Sequence, residues 1–318
     1  MTKKVSVFMI TYNHGPFIGQ AIESIMSQKT DFDFELVIGE DFSTDNTLAI
    51  CRQYAEKYPL KIKLLPSDRN IGMMLNTIRT LEACTGEYIA FCEGDDYWID
   101  EFKLQKQVDF LEANPDYSMC FSSTEIVDEL GWQQPDEKYF PIIEKDTLTI
   151  EDIILSHVSL IPTATMLVRN VLPKPLPEFY YHTFSGDLFL QLLAADAGKI
   201  KYFNTRLAAY RNHSGGITKS PAQVERTNST IQKFYLDVNQ YFNYRYDLLI
   251  RQRLFEMAKG SLIYGSREKK GLDKLKHYFK TMPKYLRYSK GLNFKEIGYY
   301  HLILFFPSLL KLFKKKRK

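Results

Sequence analysis

The stretch Tyr88-Ile89-Ala90-Phe91-Cys92-Glu93-Gly94-Asp95-Asp96-Tyr97-Trp98 decides how this chain is read. Its first five residues are mostly apolar and have the length of a buried strand. A glycine and two adjacent carboxylates come soon after, then two aromatics. In an open α/β sheet, the carboxyl ends of parallel strands face the crevice where ligands bind. Two Asp side chains there offer hard oxygen donors suited to Mg²⁺ or Mn²⁺, ions that commonly hold phosphates as well as protein. The alternative is a solvated turn, because Gly-Asp-Asp is also ordinary loop chemistry. The surrounding sequence has to choose.

On the N-terminal side, strand and helix patterns alternate. Residues 5–10 form a continuous apolar run, read as a first strand. Residues 16–28 follow as a helix, with Ile18, Ala21, Ile22, Ile25 and Met26 at helical spacing. Residues 34–39 read as a second strand, and a helix from about Asp45 to Tyr58 has Ser43 or Thr44 available as its cap. A third strand at 62–65 and a helix at 73–84 lead to the opening stretch. Beyond it come a helix at 102–113, ended by Asn114-Pro115, and a strand at 119–123. This alternation predicts an α/β fold, a mainly parallel sheet with helices on both faces. Further on, residues 163–168 and 200–203 resemble strands and 187–197 a helix. From about 222 to 287 the pattern is mostly helical, with Tyr and Phe among Lys and Arg.

Composition narrows the function classes. The 318 residues suffice for one large α/β domain with additions. Net charge is +4, but residues 1–250 hold 23 Lys+Arg against 34 Asp+Glu, whereas residues 251–318 hold 19 against 4. An acidic body argues against nucleic acid as a partner. A basic end suits an anionic membrane surface. Cys51, Cys84, Cys92 and Cys120 lie in apolar segments without Cys-x-x-Cys spacing, as expected of buried thiols in a reducing, cytoplasmic setting. No secretory signal and no spanning run of about 18 apolar residues is visible.

Four polar segments fall after predicted strands and would meet at one sheet edge. They are Thr11-Tyr12-Asn13-His14-Gly15, Glu40-Asp41-Phe42-Ser43-Thr44-Asp45, Ser67-Asp68-Arg69-Asn70-Ile71-Gly72 and Glu93-Gly94-Asp95-Asp96. Any one of them alone reads as a turn. The chain has no Gly-x-Gly-x-x-Gly dinucleotide loop and no Walker phosphate loop.

The order Val5-Ser6-Val7-Phe8-Met9-Ile10-Thr11-Tyr12-Asn13, Glu40-Asp41-Phe42-Ser43-Thr44-Asp45-Asn46-Thr47, Gly86-Glu87-Tyr88-Ile89-Ala90 and Glu93-Gly94-Asp95-Asp96-Tyr97-Trp98 resembles family 2 glycosyltransferases of GT-A fold, of the bacterial surface-polysaccharide type. The resemblance is strong over residues 3–125. It continues more weakly to about 216, through Ser185-Gly186-Asp187 and Tyr210-Arg211-Asn212-His213-Ser214-Gly215-Gly216. It implies a GT-A domain over 1–220, with a nucleotide-binding half at 1–125 and an acceptor half at 126–220. A helical extension follows over 221–318.

The implied activity is inverting transfer from a UDP- or dTDP-sugar to a hydroxyl of a glycan or lipid-linked acceptor. Tyr12 would lie against the base, with Thr11, Asn13 and Arg69 also in the nucleotide site. Asp41 would accept from the ring N–H of the base. Asp96 would be the direct metal ligand and Asp95 its ribose-side or outer partner, with His213 completing the shell around Mg²⁺ or Mn²⁺. Asp187 would be the general base. Plainer roles exist for each: a strand-end aromatic for Tyr12, a capping carboxylate for Asp41, a helix-start acid for Asp187. Arg211 is equally suited to phosphate and to an ion pair.

Six cations among residues 311–318 (Lys311, Lys314, Lys315, Lys316, Arg317 and Lys318) suit a peripheral anchor on the inner face of the plasma membrane. The rival readings are a sugar-phosphate nucleotidyltransferase, which wants a Gly-rich basic loop after the first strand, and a non-catalytic sugar-nucleotide-binding or scaffold protein, which needs no base.

Overall fold

The computed structural model describes residues 3–135, 140, 141, 143–156, 160–183, 185–216, 228–267 and 288. The chain divides by compactness into residues 1–224 and 225–318.

The first unit opens with β1 (Val5–Thr11), α1 (Ile18–Met26), β2 (Phe34–Glu40), α2 (Thr47–Lys57), β3 (Ile62–Leu65), α3 (Met73–Ala83) and β4 (Tyr88–Phe91). Every residue of β1 is buried, as its unbroken apolar run requires of a strand covered on both sides. Helix α1 buries Ile18, Ala21, Ile22 and Ile25, one stripe at helical spacing. Fully burying each large aliphatic contributes about 1.5–3 kcal/mol, so such stripes set the packing of the layer.

Helix α2 starts two residues later than the sequence pattern suggests. Ser43 and Thr44 do not cap it. Ser43 Oγ accepts the Asn13 N–H at 3.0 Å, and Asn13 Oδ1 accepts the Thr44 N–H at 2.8 Å. Asp45 supports the helix entrance instead, accepting the Thr47 N–H at 2.9 Å. The expected caps therefore join two loops at the sheet edge.

The chain continues through β5 (Tyr97–Trp98), α4 (Lys103–Ala113), β6 (Tyr117–Val127), β7 (Gln133–Gln134), β8 (Thr147–Leu148), α5 (Ile150–Leu155), β9 (Leu167–Arg169), α6 (Gly186–Ala197) and β10 (Lys199–Arg211). The sheet runs β3-β2-β1-β4-β9-β6-β10-β5, with β7 on β6 and β8 on β10. Pairs β1–β2, β2–β3, β1–β4 and β6–β10 are parallel, so the sheet is mainly parallel, as the alternation implied.

Strand β9 runs antiparallel to both β4 and β6, and the short β5, β7 and β8 also pair antiparallel. The strand expected at 163–168 is shorter and later. Thr163–Thr165 form a 3-10 turn in which the Thr165 N–H and hydroxyl both reach the Pro162 carbonyl, at 3.0 and 2.7 Å.

The short β5 matters most for function. It pairs antiparallel with β10, setting Trp98 opposite Ala208 and Tyr97 opposite Ala209. That register brings the residues just after Asp95-Asp96 beside those just before Arg211 and His213. Trp98 anchors the junction as a core residue, donating from Nε1 to the Ala164 carbonyl at 2.9 Å.

The second unit contains α7 (Asn228–Tyr241) and α8 (Asp247–Arg267), in the region expected to be helical. They pack on each other through a turn in which Asn243 and Tyr244 have φ of 49° and 60°. Asp247 holds the turn, accepting from Asn239 Nδ2 and pairing with Arg251 Nε. Among the described residues, no helix is long and apolar enough to cross a membrane. The basic segment 311–318 lies outside the described residues.

Candidate functional site

The loops after β1, β2 and β4 meet at the carboxyl edge of the sheet, and the end of β10 joins them. Gly94 makes the closest approach possible, since a Cβ there would lie 2.6 Å from Thr11 Oγ1. The β4 loop can thus press against the end of β1.

Asp95 sits at the centre. Its Oδ2 is 3.0 Å from His213 Nε2 and 3.7 Å from His14 Nε2. One ligand atom from each of His14, Asp95 and His213 falls within 4.8 Å of the others, and Glu93, Asp95 and Asp96 form a second such group. Two imidazoles and a carboxylate, or three carboxylates, are donor sets of the right chemistry for a divalent cation. Asp95 Oδ1, His14 Nδ1 and Thr11 Oγ1 are buried without a hydrogen-bond partner. Leaving such atoms unpaired costs about 1–3 kcal/mol each, which a bound cation and its ligands would offset.

Electrostatics separates the acids. Burial opposes the charge on Asp95, but the hydrogen bond from His213 and the nearby His14 outweigh it and hold its pKa below the ordinary range. Burial, with Asp95 and Glu93 close by, pushes Asp96 well above it. Burial, then Asp95 and Asp187, push Glu93 up to about 8. Burial lowers His14 against the pull of Asp95. At neutral pH this favours an ionised Asp95 beside a protonated Glu93 and a neutral His14.

Asp96, expected as the direct metal ligand, has a different neighbour. It is 3% exposed and its Oδ1 accepts the Arg211 backbone N–H at 2.9 Å. Asp95, expected as the outer partner, faces the imidazoles instead. The Arg211 guanidinium is enclosed. It donates to the carbonyls of Asp95, Asp128 and Glu129 and to Gln20 Oε1, and lies over the Phe17 and Tyr97 rings. Its work is to clamp the loops after β4 and β6 to helix α1.

The other expected residues divide. Tyr12 is 43% exposed, its ring open to solvent. Asn13, at φ 56°, ties the β1 loop to the β2 loop. Both Asp41 oxygens accept backbone N–H groups, from Ile71 at 2.8 Å and Gly72 at 2.9 Å. Asp41 therefore fixes the entry to α3 rather than capping α2. Arg69 is exposed on the loop so fixed.

Asp187 stands in the first turn of α6, where its carboxylate accepts from the Ser185 hydroxyl. Its charge reaches Glu93 and Tyr180. A cleft of about 640 Å³ is lined among others by Gly72, Met73, Met74, Tyr181 and His182. Met74 Cε would be 3.4 Å from a Cβ on Gly186, the residue before Asp187. His14 is the residue the sequence left without a role. Its signal was its place in the same sheet-edge loop as Tyr12.

Known proteins give this arrangement a lineage. The chain is 32% identical over 216 residues to an uncharacterized protein of Mycobacterium tuberculosis, covering 68% of this chain and 61% of that one. It therefore spans about three fifths of the length of the first curated relatives it matches. The dTDP-rhamnosyl transferase RfbG of Shigella flexneri is 35% identical over 122 residues, 37% of this chain and 41% of RfbG.

Among solved structures, residues 1–349 of TarS from S. aureus, in complex with UDP-GlcNAc, superpose with a TM-score of 0.63 at 20% identity, over 90% of this chain and 81% of that one. The mannosyltransferase PcManGT from Pyrobaculum calidifontis, in complex with GDP-Man and Mn²⁺, gives 0.50 at 15% identity, over 96% and 82%. The expected GT-A-like α/β fold is thus shared with solved glycosyltransferases. The sequence pattern of glycosyl transferase family 2 matches residues 6–172, which span β1 to β9 and include Asp95, and the chain belongs to that family.

Proposed function

We propose that this chain is an inverting, metal-dependent glycosyltransferase. It moves a sugar from a UDP- or dTDP-sugar to a hydroxyl of a glycan or lipid-linked acceptor during cell-surface polysaccharide synthesis. The observation that carries this reading is the meeting of Asp95 with His213 at the carboxyl edge of the sheet, with Asp187 near enough for its charge to raise Glu93. A diphosphate holder and a carboxylate base would then share one crevice. The UDP-GlcNAc of the TarS complex and the dTDP-rhamnosyl name of RfbG support a pyrimidine donor. The Mn²⁺ of the PcManGT complex supports a divalent ion.

In this reading Tyr12 stacks on the base, which is worth about 1–3 kcal/mol. Asp41 keeps lone pairs free for the ring N–H after accepting from Ile71 and Gly72. Thr11, Asn13 and Arg69 line the nucleotide side. Asp95 and His213 hold Mg²⁺ or Mn²⁺, and Asp96 steadies them through Arg211. The ion supplies positive charge where the leaving diphosphate gains negative charge. The acceptor oxygen forms its bond to the anomeric carbon as the bond to the diphosphate oxygen breaks, and its proton passes to the Asp187 carboxylate. One such displacement inverts the anomeric centre. The basic segment at 311–318 keeps the enzyme on the cytoplasmic face of the plasma membrane, near a lipid-linked acceptor.

A thermal-shift screen of nucleotide sugars with and without Mn²⁺ tests the donor. Stabilisation of about 2.7 kcal/mol is expected at a hundredfold excess over Kd. Equal stabilisation by GDP-sugars would overturn the pyrimidine assignment. Asp187→Asn should cut transfer by about 10²–10⁴-fold while leaving donor binding intact. Transfer at the wild-type rate would remove Asp187 from its role.

A further inference from the structure

We infer that His14 is a direct ligand of the bound cation, so that the metal centre is a two-histidine, one-carboxylate site formed by His14, Asp95 and His213. The inference rests on the metal-dependent reading of the site. It concerns a residue that neither the sequence pattern nor that reading required.

Three independent features of the loop support it. The first is spacing. Donor atoms that each lie ~2.1 Å from an ion stand ~3.0–3.4 Å apart at right-angled or tetrahedral positions. The observed Asp95 Oδ2 separations of 3.0 Å to His213 and 3.7 Å to His14 bracket that range before any ion draws them in.

The second is preorganisation. Asn13 is held in a left-handed conformation by its two hydrogen bonds to the β2 loop, and the Gly15 N–H donates to Asp45 Oδ2 at 2.9 Å. A Cβ at Gly15 would fall 2.0 Å from Asn46 Oδ1, so any side chain there would have to displace Asn46. The His14 carbonyl accepts the N–H groups of Phe17 and Ile18 at 2.9 and 2.8 Å. The residues on both sides of His14 are thus pinned, and its ring stands edge-on to His213 with centroids 6.0 Å apart.

The third is unsatisfied polarity. His14 Nδ1 and Asp95 Oδ1 are buried with no hydrogen-bond partner. A cation beside Asp95 would satisfy Oδ1, whereas His14 faces it through Nε2 and keeps Nδ1 for an outer hydrogen-bond partner.

Two imidazoles change which ion the site prefers. Mg²⁺ favours a nearly all-oxygen shell, whereas Mn²⁺ and the later divalent metals accept imidazole nitrogen, with affinity rising from Mn²⁺ to Co²⁺. The centre should therefore favour Mn²⁺ over Mg²⁺ and bind Co²⁺ more tightly than either.

Full-length protein without donor or acceptor, titrated with Mn²⁺ and followed by electron paramagnetic resonance, tests this. Pulsed measurements on the wild type should show two coordinated imidazole nitrogens. His14→Ala should show one, with the Mn²⁺ affinity reduced by about tenfold or more and the Mg²⁺ affinity changed far less. His14→Asn, which keeps a polar side chain in the loop, provides the same comparison if the alanine variant is poorly folded. A single coordinated nitrogen in the wild type, or Mn²⁺ affinity unchanged in both variants, would overturn the inference. Failure of the transferase reading would show separately, as donor transfer unaffected by chelation in a protein that still binds Mn²⁺ through His14.

Discussion

Asp41 shows how a site residue can also be a structural one. Its two oxygens hold the Ile71 and Gly72 N–H groups, and Asn70 Nδ2 reaches its carbonyl. Asp41→Asn has nearly the same shape but turns one acceptor into a donor facing another donor. Loss of stability of about 1–3 kcal/mol in urea unfolding is expected, together with weaker binding of uridine or thymidine nucleotides. Unchanged stability would mean the loop holds itself. At this scale the sequence was partly legible. Tyr12, Asp41 and Asp95 could be placed at one edge because each follows a strand with an unmistakable apolar run. Which of Asp95 and Asp96 faces the imidazoles could not be read, because it depends on which carboxylate meets Arg211, 115 residues away from Asp96 in sequence.

The elements show the same contrast. The buried stripe of α1 follows directly from its spacing, and parallel β1–β2 and β1–β4 pairing follows from strand–helix alternation. Two-residue β5 has no periodic signal, yet it sets the register that brings His213 to Asp95. Helix α4 hides another departure. A lysine at its first position reads as solvent-facing, but Lys103 is fully buried, with Nζ on Gln107 Oε1 at 2.7 Å and above the Trp98 ring at 4.3 Å.

Burial pushes the Lys103 ammonium down from 10.5 to about 8. Below pH 8 it is charged in both the folded and the unfolded chain. Between pH 8 and 10.5 the unfolded chain binds the extra proton, so this group makes stability rise with pH through that window, by about 3 kcal/mol in all. Buried thiols act oppositely, since Cys51 and Cys84 are pushed up to about 12. The clean measurement is therefore the difference between wild type and Lys103→Met. Their unfolding free energies should diverge in favour of the wild type as pH rises from 8 to 10.5. A pH-independent difference would show that the folded protein carries Lys103 with an ordinary pKa.

Charge is organised on the scale of the whole molecule. Residues 1–250 carry an excess of 11 acidic groups and residues 251–318 an excess of 15 basic ones. A uniform fold-stabilising role does not explain such segregation, because exposed ion pairs contribute little wherever they lie. The proposed anionic surface would. Each Lys or Arg close to an acidic leaflet contributes about 1 kcal/mol, and the acidic body is repelled by the same leaflet, so the molecule would be oriented as well as held. The six cations of 311–318 should make the protein sediment with vesicles containing an anionic phospholipid and not with neutral ones. Because the attraction acts within a Debye length of about 8–10 Å near physiological salt, binding should weaken steeply as salt is raised. Replacing those six residues by Gln should abolish sedimentation while leaving transfer to a soluble acceptor unchanged. Salt-resistant binding, or binding retained by the Gln variant, would point to apolar insertion by the aromatic-rich residues before the tail. The charge asymmetry would then not be what brings the site to its acceptor.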